Sequence, residues 1–117
     1  MAFKFEKLEI WHLAIDISDE IDKLTKTFPK DEIFVLTSQI KRAADSISLN
    51  ISEGSTGQSD AEQRRFLGSA QRSAIEVVNC LYLAKRRGYL QNDDFIRLYN
   101  ILEKEVMKIQ AFKNSLK

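Results

Sequence analysis

Five polar residues stand at spacings that could build one chemical site: Arg42, Ser46, Asn50, Glu53 and Glu76. Arg42, Ser46 and Asn50 follow one another at four-residue steps, which places them along one side of a helix. If Glu76 on a second helix faces this strip, its carboxylate and the Arg42 guanidinium can form a buried bidentate pair. The pattern favours a structural network that fixes helix register or a subunit contact, and a ligand-binding or active site is the alternative.

A second group of residues combines cations with aromatic rings. Its cations are Arg64, Arg65, Lys85, Arg86, Arg87, Arg97, Lys104, Lys108, Lys113 and Lys117, and the tyrosines of the same half of the chain are Tyr82, Tyr89 and Tyr99. Lysine and arginine neutralise phosphates and tyrosine stacks on exposed bases, so the group predicts a nucleic-acid interface. We take Arg64, Arg65, Lys85, Arg86, Arg87, Lys104 and Lys108 as its candidate contacts. Alternatively, the cations complement a helix dipole or solvate a face, although an assembly of several chains would repeat any patch.

Other motifs that could support catalysis or metal binding are incomplete. Glu9-x-x-His12 has the spacing found in di-iron bundles, but the chain has no second histidine to complete such a site. The segment from Gly54 to Gly57 lacks the lysine that a phosphate-binding P-loop requires, and Cys80 is interpreted as a small packing residue. We therefore expect no catalytic site, no metal, no cofactor and no small-molecule substrate.

Composition indicates a helical protein with a well-formed core. The chain has 117 residues, of which 44% are hydrophobic and 30% are charged, with one proline and four glycines. Its single cysteine fits a reducing compartment, and the sequence shows neither a signal-peptide core nor an apolar run long enough to cross a membrane. We expect one cytoplasmic domain that does not bind membranes.

Charge is distributed unevenly along the chain. Residues 1–60 hold 7 Lys/Arg against 11 Asp/Glu, a net charge of −4, and residues 61–117 hold 11 against 6, a net charge of +5. Opposite charge on two parts of one surface can drive self-association, or it can direct the basic part toward a polyanion.

Hydrophobic periodicity predicts four helices, over residues 8–27, 31–53, 60–87 and 93–115. In the second, Ile33, Leu36, Ile40, Ala43, Ile47, Asn50 and Gly54 alternate steps of three and four, which is a heptad seam. Short connections between helices of this length predict an antiparallel up-down-up-down four-helix bundle, with the second helix central to the packing.

The segment Gln39-Ile-Lys-Arg-Ala-Ala-Asp-Ser-Ile-Ser-Leu-Asn-Ile-Ser-Glu-Gly54 resembles the signature of a known family. Its members are the four-helix-bundle proteins encoded within intervening sequences of bacterial 23S ribosomal RNA genes. Other segments that resemble this family are Phe5 to Trp11, Phe28-Pro29, Arg65-Phe66-Leu67, Ser73-x-x-Glu76 and Ala84 to Leu90.

That family is in turn similar to the accessory protein of diversity-generating retroelements, a barrel-like homopentamer that binds nucleic acid. The resemblance therefore implies a homo-oligomer, with five subunits by this analogy, that interacts with RNA or DNA. Our first hypothesis is a non-enzymatic homo-oligomer that binds RNA through its basic half. The alternative is a protein-interaction scaffold whose oppositely charged faces mediate self-assembly or partner binding without nucleic acid.

Overall fold

The computed structural model describes residues 2–116, and four long helices follow one another within them. The helices are α1 (Glu9–Thr25), α2 (Ser38–Gly54), α3 (Asp60–Arg86) and α4 (Asn92–Ser115). A 3-10 turn at Lys4–Lys7 precedes α1, and a 3-10 turn at Lys30–Glu32 followed by a π turn at Ile33–Thr37 leads into α2. No strand occurs in residues 2–116, so the predicted all-α fold class is confirmed. In the same range, no helix is both long enough and apolar enough to span a bilayer.

Contacts between helices show that neighbours run in opposite directions. The pairs are Glu9–Lys108 and Glu20–Arg97 between α1 and α4, Gln39–Glu76 and Ser46–Ser73 between α2 and α3, and Gln71–Gln110 and Tyr82–Phe95 between α3 and α4. In each pair of helices, residue numbers rise along one helix as they fall along the other. The four helices therefore form an antiparallel up-down-up-down bundle with extents of 44 × 23 × 23 Å.

The core lies along the seam where the four apolar stripes meet. On α2 the seam residues Ile40, Ala43 and Ile47 are buried, together with Ile51. Asn50, predicted to lie on this seam, is half-buried at its edge beside α3, and Ile33 at the other end of the predicted seam is exposed. The α2 seam therefore passes through Ile51, because a straight helix drifts from a strict seven-residue repeat.

Local sequence signals set the helix ends. The Ser59 hydroxyl accepts a hydrogen bond from the Glu62 amide at 3.1 Å and so caps the start of α3. At the other end, Gly88 has a φ of +82°, which glycine adopts without steric cost, and Tyr89 N–H donates to the Ala84 carbonyl. These signals explain why α1, α3 and α4 begin and end within about two residues of the spans expected from periodicity.

The second predicted helix, residues 31–53, divides into three segments in the structure. Ile33, Val35 and Thr37 are β-branched, which lowers the propensity of this stretch for a regular α-helix. The side chain of Glu32 accepts a hydrogen bond from the Leu36 amide at 3.4 Å across the widened turn. Within this π turn Leu36 is buried, whereas Phe34 is 93% exposed.

Candidate nucleic-acid interface and polar network

Aromatic rings of α3 and α4 form a cluster near the turn that joins these helices. The Tyr82 ring lies edge-on to Phe95 with centroids 4.8 Å apart, and its centroid is 6.5 Å from that of Tyr99. The Lys85 ammonium stands 4.6 Å from the centroid of the Phe95 ring, which is a cation–π contact. Phe95 is buried, whereas Tyr82 is 48% exposed. The Tyr82 ring is therefore accessible to solvent on one side and packs against Phe95 on the other.

Arg86 completes this surface, which we call the aromatic–basic corner and define as Tyr82, Lys85, Arg86, Phe95 and Tyr99. Arg86 is exposed, makes no ion pair within residues 2–116, and follows Tyr82 by four positions on α3, so the two side chains lie on the same side. An aromatic ring beside exposed cations can stack on a base while the cations contact the adjoining phosphates.

Most other cations of the predicted group are engaged within the chain. Their bonds are Arg65 to Glu62 at 2.7 Å, Arg87 to Glu32 at 3.1 Å, Arg97 to Glu20 at 2.7 Å, Lys108 to Glu9 at 2.6 Å and Lys113 to the Gln71 side-chain oxygen at 3.1 Å. Lys104 is exposed on α4 without an ion pair in the described part of the chain, and Arg64 is half-buried in the first turns of α3. Lys117 lies outside the described residues.

The candidate cations are also spread along the bundle. Arg64 and Arg65 lie near the start of α3, and Lys85 and Arg86 lie at its end, about 30 Å away at 1.5 Å per residue. One chain therefore does not gather the seven candidate contacts into one patch. Lys85 and Arg86 remain together at the aromatic–basic corner.

The predicted polar network is present in part. Asn50 Nδ2 donates to the Ser46 carbonyl at 2.8 Å and to Ser46 Oγ at 3.0 Å, and Ser73 Oγ donates to Ser46 Oγ at 2.9 Å. Ser73, from α3, was not in the predicted set. The half-buried chain from Asn50 through Ser46 to Ser73 ties α2 to α3 and fixes their register.

The other three members of the predicted set lie outside this chain of hydrogen bonds. Glu76 accepts a hydrogen bond from Gln39 Nε2 at 3.3 Å, and Arg42 and Glu53 are exposed. The conditional Arg42–Glu76 pair is not formed, because Arg42 lies on the side of α2 that faces solvent while Glu76 lies beside Gln39. These side chains do not enclose a site within one chain.

Glu32 is the centre of a cluster that the sequence did not reveal. Its Oε2 accepts hydrogen bonds from Tyr89 Oη at 2.8 Å and from Arg87 Nη1 at 3.1 Å, and Tyr89 also packs against Phe28. The Tyr89 hydroxyl lowers the pKa of Glu32, with further contributions from the Leu36 amide and the Arg87 guanidinium. The cluster joins the turn before α2 to the turn before α4. Arg87 therefore has a structural role in this contact.

Glu105 is a buried acid within the α4 stripe. It is 0% exposed, and neither carboxylate oxygen has a hydrogen-bond partner in the described part of the chain. Burial raises its pKa to about 8. The spacing of Leu98, Leu102, Glu105 and Ile109, in steps of four, three and four, is the sequence signal that places Glu105 in this stripe.

His12 and Cys80, the two residues whose side chains could take part in catalysis, make contacts that belong to the fold. His12 Nε2 lies 2.7 Å from the Glu6 carbonyl oxygen, and the Cys80 thiol is buried, which raises its pKa to about 11. A thiol that stays protonated at neutral pH is a poor nucleophile. Within residues 2–116, no group of three or more His, Cys, Asp or Glu side chains could hold a metal ion.

Comparisons with known proteins agree with this architecture. A family model described as "23S rRNA-intervening sequence protein" matches residues 6–111. The chain is also similar to a crystal structure of a protein of unknown function from the S23 ribosomal protein family of Bacteroides thetaiotaomicron, with a TM-score of 0.83 and 23% identity. That similarity covers 91% of this chain and 99% of the other, and at this identity it shows the fold. The search of curated proteins finds no match.

Proposed function

Because the chain belongs to the 23S rRNA-intervening sequence protein family, we propose that it is a non-enzymatic homo-oligomer that binds single-stranded RNA at the aromatic–basic corner. The observation that carries the proposal is the exposed Tyr82 ring, supported by Phe95 and Tyr99 and flanked by Lys85 and Arg86. The proposal includes a cytoplasmic location and, by the analogy given above, five subunits.

Single strands suit this surface better than a duplex does. A duplex keeps its bases stacked on one another, whereas a single strand can place a base on an aromatic ring. Stacking contributes about 1–3 kcal/mol per base in single-strand complexes and tolerates any base. Two cations at one corner give a weak phosphate contact, so repetition of the corner in an assembly is part of the proposal.

Fluorescence anisotropy with a labelled single strand across a salt series tests the proposal. We expect binding at about 50 mM salt that weakens as salt rises, with a slope that Arg86→Ala reduces by about one. Tyr82→Ala should weaken binding roughly 5- to 150-fold, and Tyr82→Phe, which keeps the ring, is the matched control. Three results would each contradict the proposal. They are absence of binding at low salt, an affinity that does not depend on salt, and a Tyr82→Ala variant that binds the strand as tightly as the native protein does.

The second candidate is an interaction scaffold that assembles without nucleic acid. The observation that favours it is the exposure of Ile33, Phe34 and Val35 in the π turn, since consecutive exposed apolar residues commonly mark a contact surface. Charge reversal at Lys85 and Arg86 distinguishes the two candidates. If the first is correct, the variant loses RNA and keeps its assembly, and if the second is correct, the assembly weakens.

A further inference from the structure

The outward face of α2 carries apolar and charged side chains with no partner in the described chain. Arg42, Asp45, Leu49 and Glu53 follow at steps of three, four and four, and all are exposed, Leu49 by 57%. None of the three charged residues makes an ion pair within residues 2–116. Phe34 precedes Arg42 by eight residues, about one π turn and one α turn, and so extends the same face.

The outward face of α4 has a matching composition. Ile96 and Met107 are 48% and 66% exposed, and Glu103 and Lys104 between them make no ion pair in the described part of the chain. A shallow groove of about 330 Å³ lies on this face, and its lining is Asn100, Glu103, Lys104, Met107, Lys108 and Ala111. On each of the two outward faces, one positively and one negatively charged side chain therefore lie between two exposed apolar side chains.

The fold points these two faces away from each other. α2 packs against α1 and α3, and α4 packs against the same two helices, so α2 and α4 are diagonal in the bundle and parallel to each other. A contact that joins the α2 face of one copy to the α4 face of another is therefore heterologous, and each copy can make it twice.

Contacts through the turns and through α3 set the heights of the two faces along the bundle. Tyr89, just before α4, bonds to Glu32, just before the π turn, so Phe34 and Ile96 lie at the same end.

Farther along the bundle, Ser46 bonds to Ser73 on α3, and two residues away Gln71 Nε2 donates to the Val106 carbonyl and to the Gln110 side chain. The middle of α2 is therefore level with α4 around residues 106–110, to within about one helical turn of 5.4 Å.

Residues of like or complementary chemistry thus stand at equal heights on the two faces. The matching pairs are Phe34 with Ile96, Arg42 with Glu103, Asp45 with Lys104, and Leu49 with Met107. We infer that the α2 outward face of one copy of this chain packs against the α4 outward face of a second copy at equal height. The inference rests on the self-association contained in the proposed function and names its surface.

Equal height has a consequence for the form of the assembly. A heterologous contact with a rise between subunits generates a helical filament, whereas rotation without a rise closes into a ring. Two apolar contacts with opposite charges between them would fix both the register and the direction of the neighbour. Self-association through this surface therefore keeps the bundles side by side, and it closes into a ring when the two outward faces are inclined to each other instead of directly opposed.

Native mass spectrometry of the full chain and of two variants tests this surface. We expect one discrete oligomer for the native sequence and monomers for both Phe34→Glu and Met107→Glu. An equal mixture of the two variants should form a 1:1 dimer and nothing larger, because only one intact α2 face and one intact α4 face meet. Ile75→Glu is the control, since Ile75 is 58% exposed on α3 and should tolerate the change.

A charge exchange provides a second, independent test. Arg42→Glu and Glu103→Arg should each weaken the oligomer, and the double variant should restore it. A monomeric native protein would overturn the self-association itself, and with it this surface. A native oligomer that survives Phe34→Glu and Met107→Glu would overturn only the surface. Loss of assembly in Phe34→Glu but not in Met107→Glu would point to symmetric α2–α2 pairing and would also contradict the inference.

Discussion

At the scale of single residues, Glu105 is the least expected feature of the bundle. An unpaired carboxyl group in an apolar core is stable only as the neutral acid. The free energy needed to remove a carboxylate charge from water is far larger than any stabilisation that apolar neighbours provide. Lys108 opposes this effect and Glu9 adds to it, but burial dominates and raises the pKa to about 8. The folded protein therefore carries a neutral acid near pH 7, where the unfolded chain carries a carboxylate.

The first prediction concerns the pH dependence of stability. The pKa of Glu105 rises from 4.5 in the unfolded chain to about 8 in the fold, so the unfolded state releases its proton first as pH increases. Stability should consequently fall between about pH 5 and 7.5, by about 3 kcal/mol at 1.4 kcal/mol per pKa unit. Glu105→Gln cannot ionise and should remove this fall in denaturant-unfolding curves. The exposed Glu103→Gln should retain it, and parallel pH profiles for native protein and Glu105→Gln would contradict the assignment.

At the scale of helices, close packing of α2 against α3 depends on small side chains. Ala43, Ala44, Ala70 and Ala74 are all buried at this contact or beside it. At the end of α2, a Cβ atom on Gly54 would stand 2.8 Å from the Phe66 Cβ atom, a distance that non-bonded carbons do not adopt. Because Gly54 has no Cβ atom, α2 and α3 can approach more closely here than any other residue would allow.

The second prediction compares two glycines that both lie within helices. Gly54→Ala should destabilise the protein, because the clash with Phe66 outweighs the gain in helix propensity. Gly68→Ala should stabilise it by up to about 1 kcal/mol, because a Cβ atom there meets only side-chain ends at 3.7 Å or more. Thermal unfolding followed by circular dichroism measures both. A Gly54→Ala variant as stable as Gly68→Ala would show that the α2–α3 approach is not limiting.

Helix number and packing could be predicted because they follow from local periodicity and from caps such as Ser59 and Gly88. The partners of individual polar groups could not. Whether Arg87 is free to bind RNA depends on where the fold places Glu32, 55 residues earlier in the chain, and no local pattern encodes that contact. The spacing of Glu105 fits a buried position, but carboxylates are almost always exposed in folded proteins, so spacing alone does not predict a buried acid.

At the scale of the whole molecule, the acidic and the basic halves of the chain contact each other in the fold. The acidic half contains α1 and the basic half contains α4, and these two helices lie side by side. Glu9 and Glu20 on α1 form ion pairs with Lys108 and Arg97 on α4, so part of the basic charge is neutralised within each chain. Under the proposed function, strong binding of RNA therefore requires several copies of the aromatic–basic corner.

The last prediction couples assembly to RNA affinity. In a ring, several copies of the aromatic–basic corner can engage one strand, and the second contact becomes intramolecular, which can raise affinity 100-fold or more. Phe34→Glu leaves the corner intact and should retain the native affinity for a strand of about five nucleotides, which reaches one corner only. For a strand long enough to reach two corners, the same variant should lose at least about tenfold.

The controls separate avidity from loss of the site. Tyr82→Ala should weaken binding of short and long strands alike while leaving the oligomer intact, since the ring belongs to the corner and not to the assembly surface. Mixing Phe34→Glu with Met107→Glu should recover part of the long-strand affinity, because the resulting dimer presents two corners. Equal losses for short and long strands in Phe34→Glu would instead mean that Phe34 contacts RNA directly, and the coupling of affinity to subunit number would be wrong.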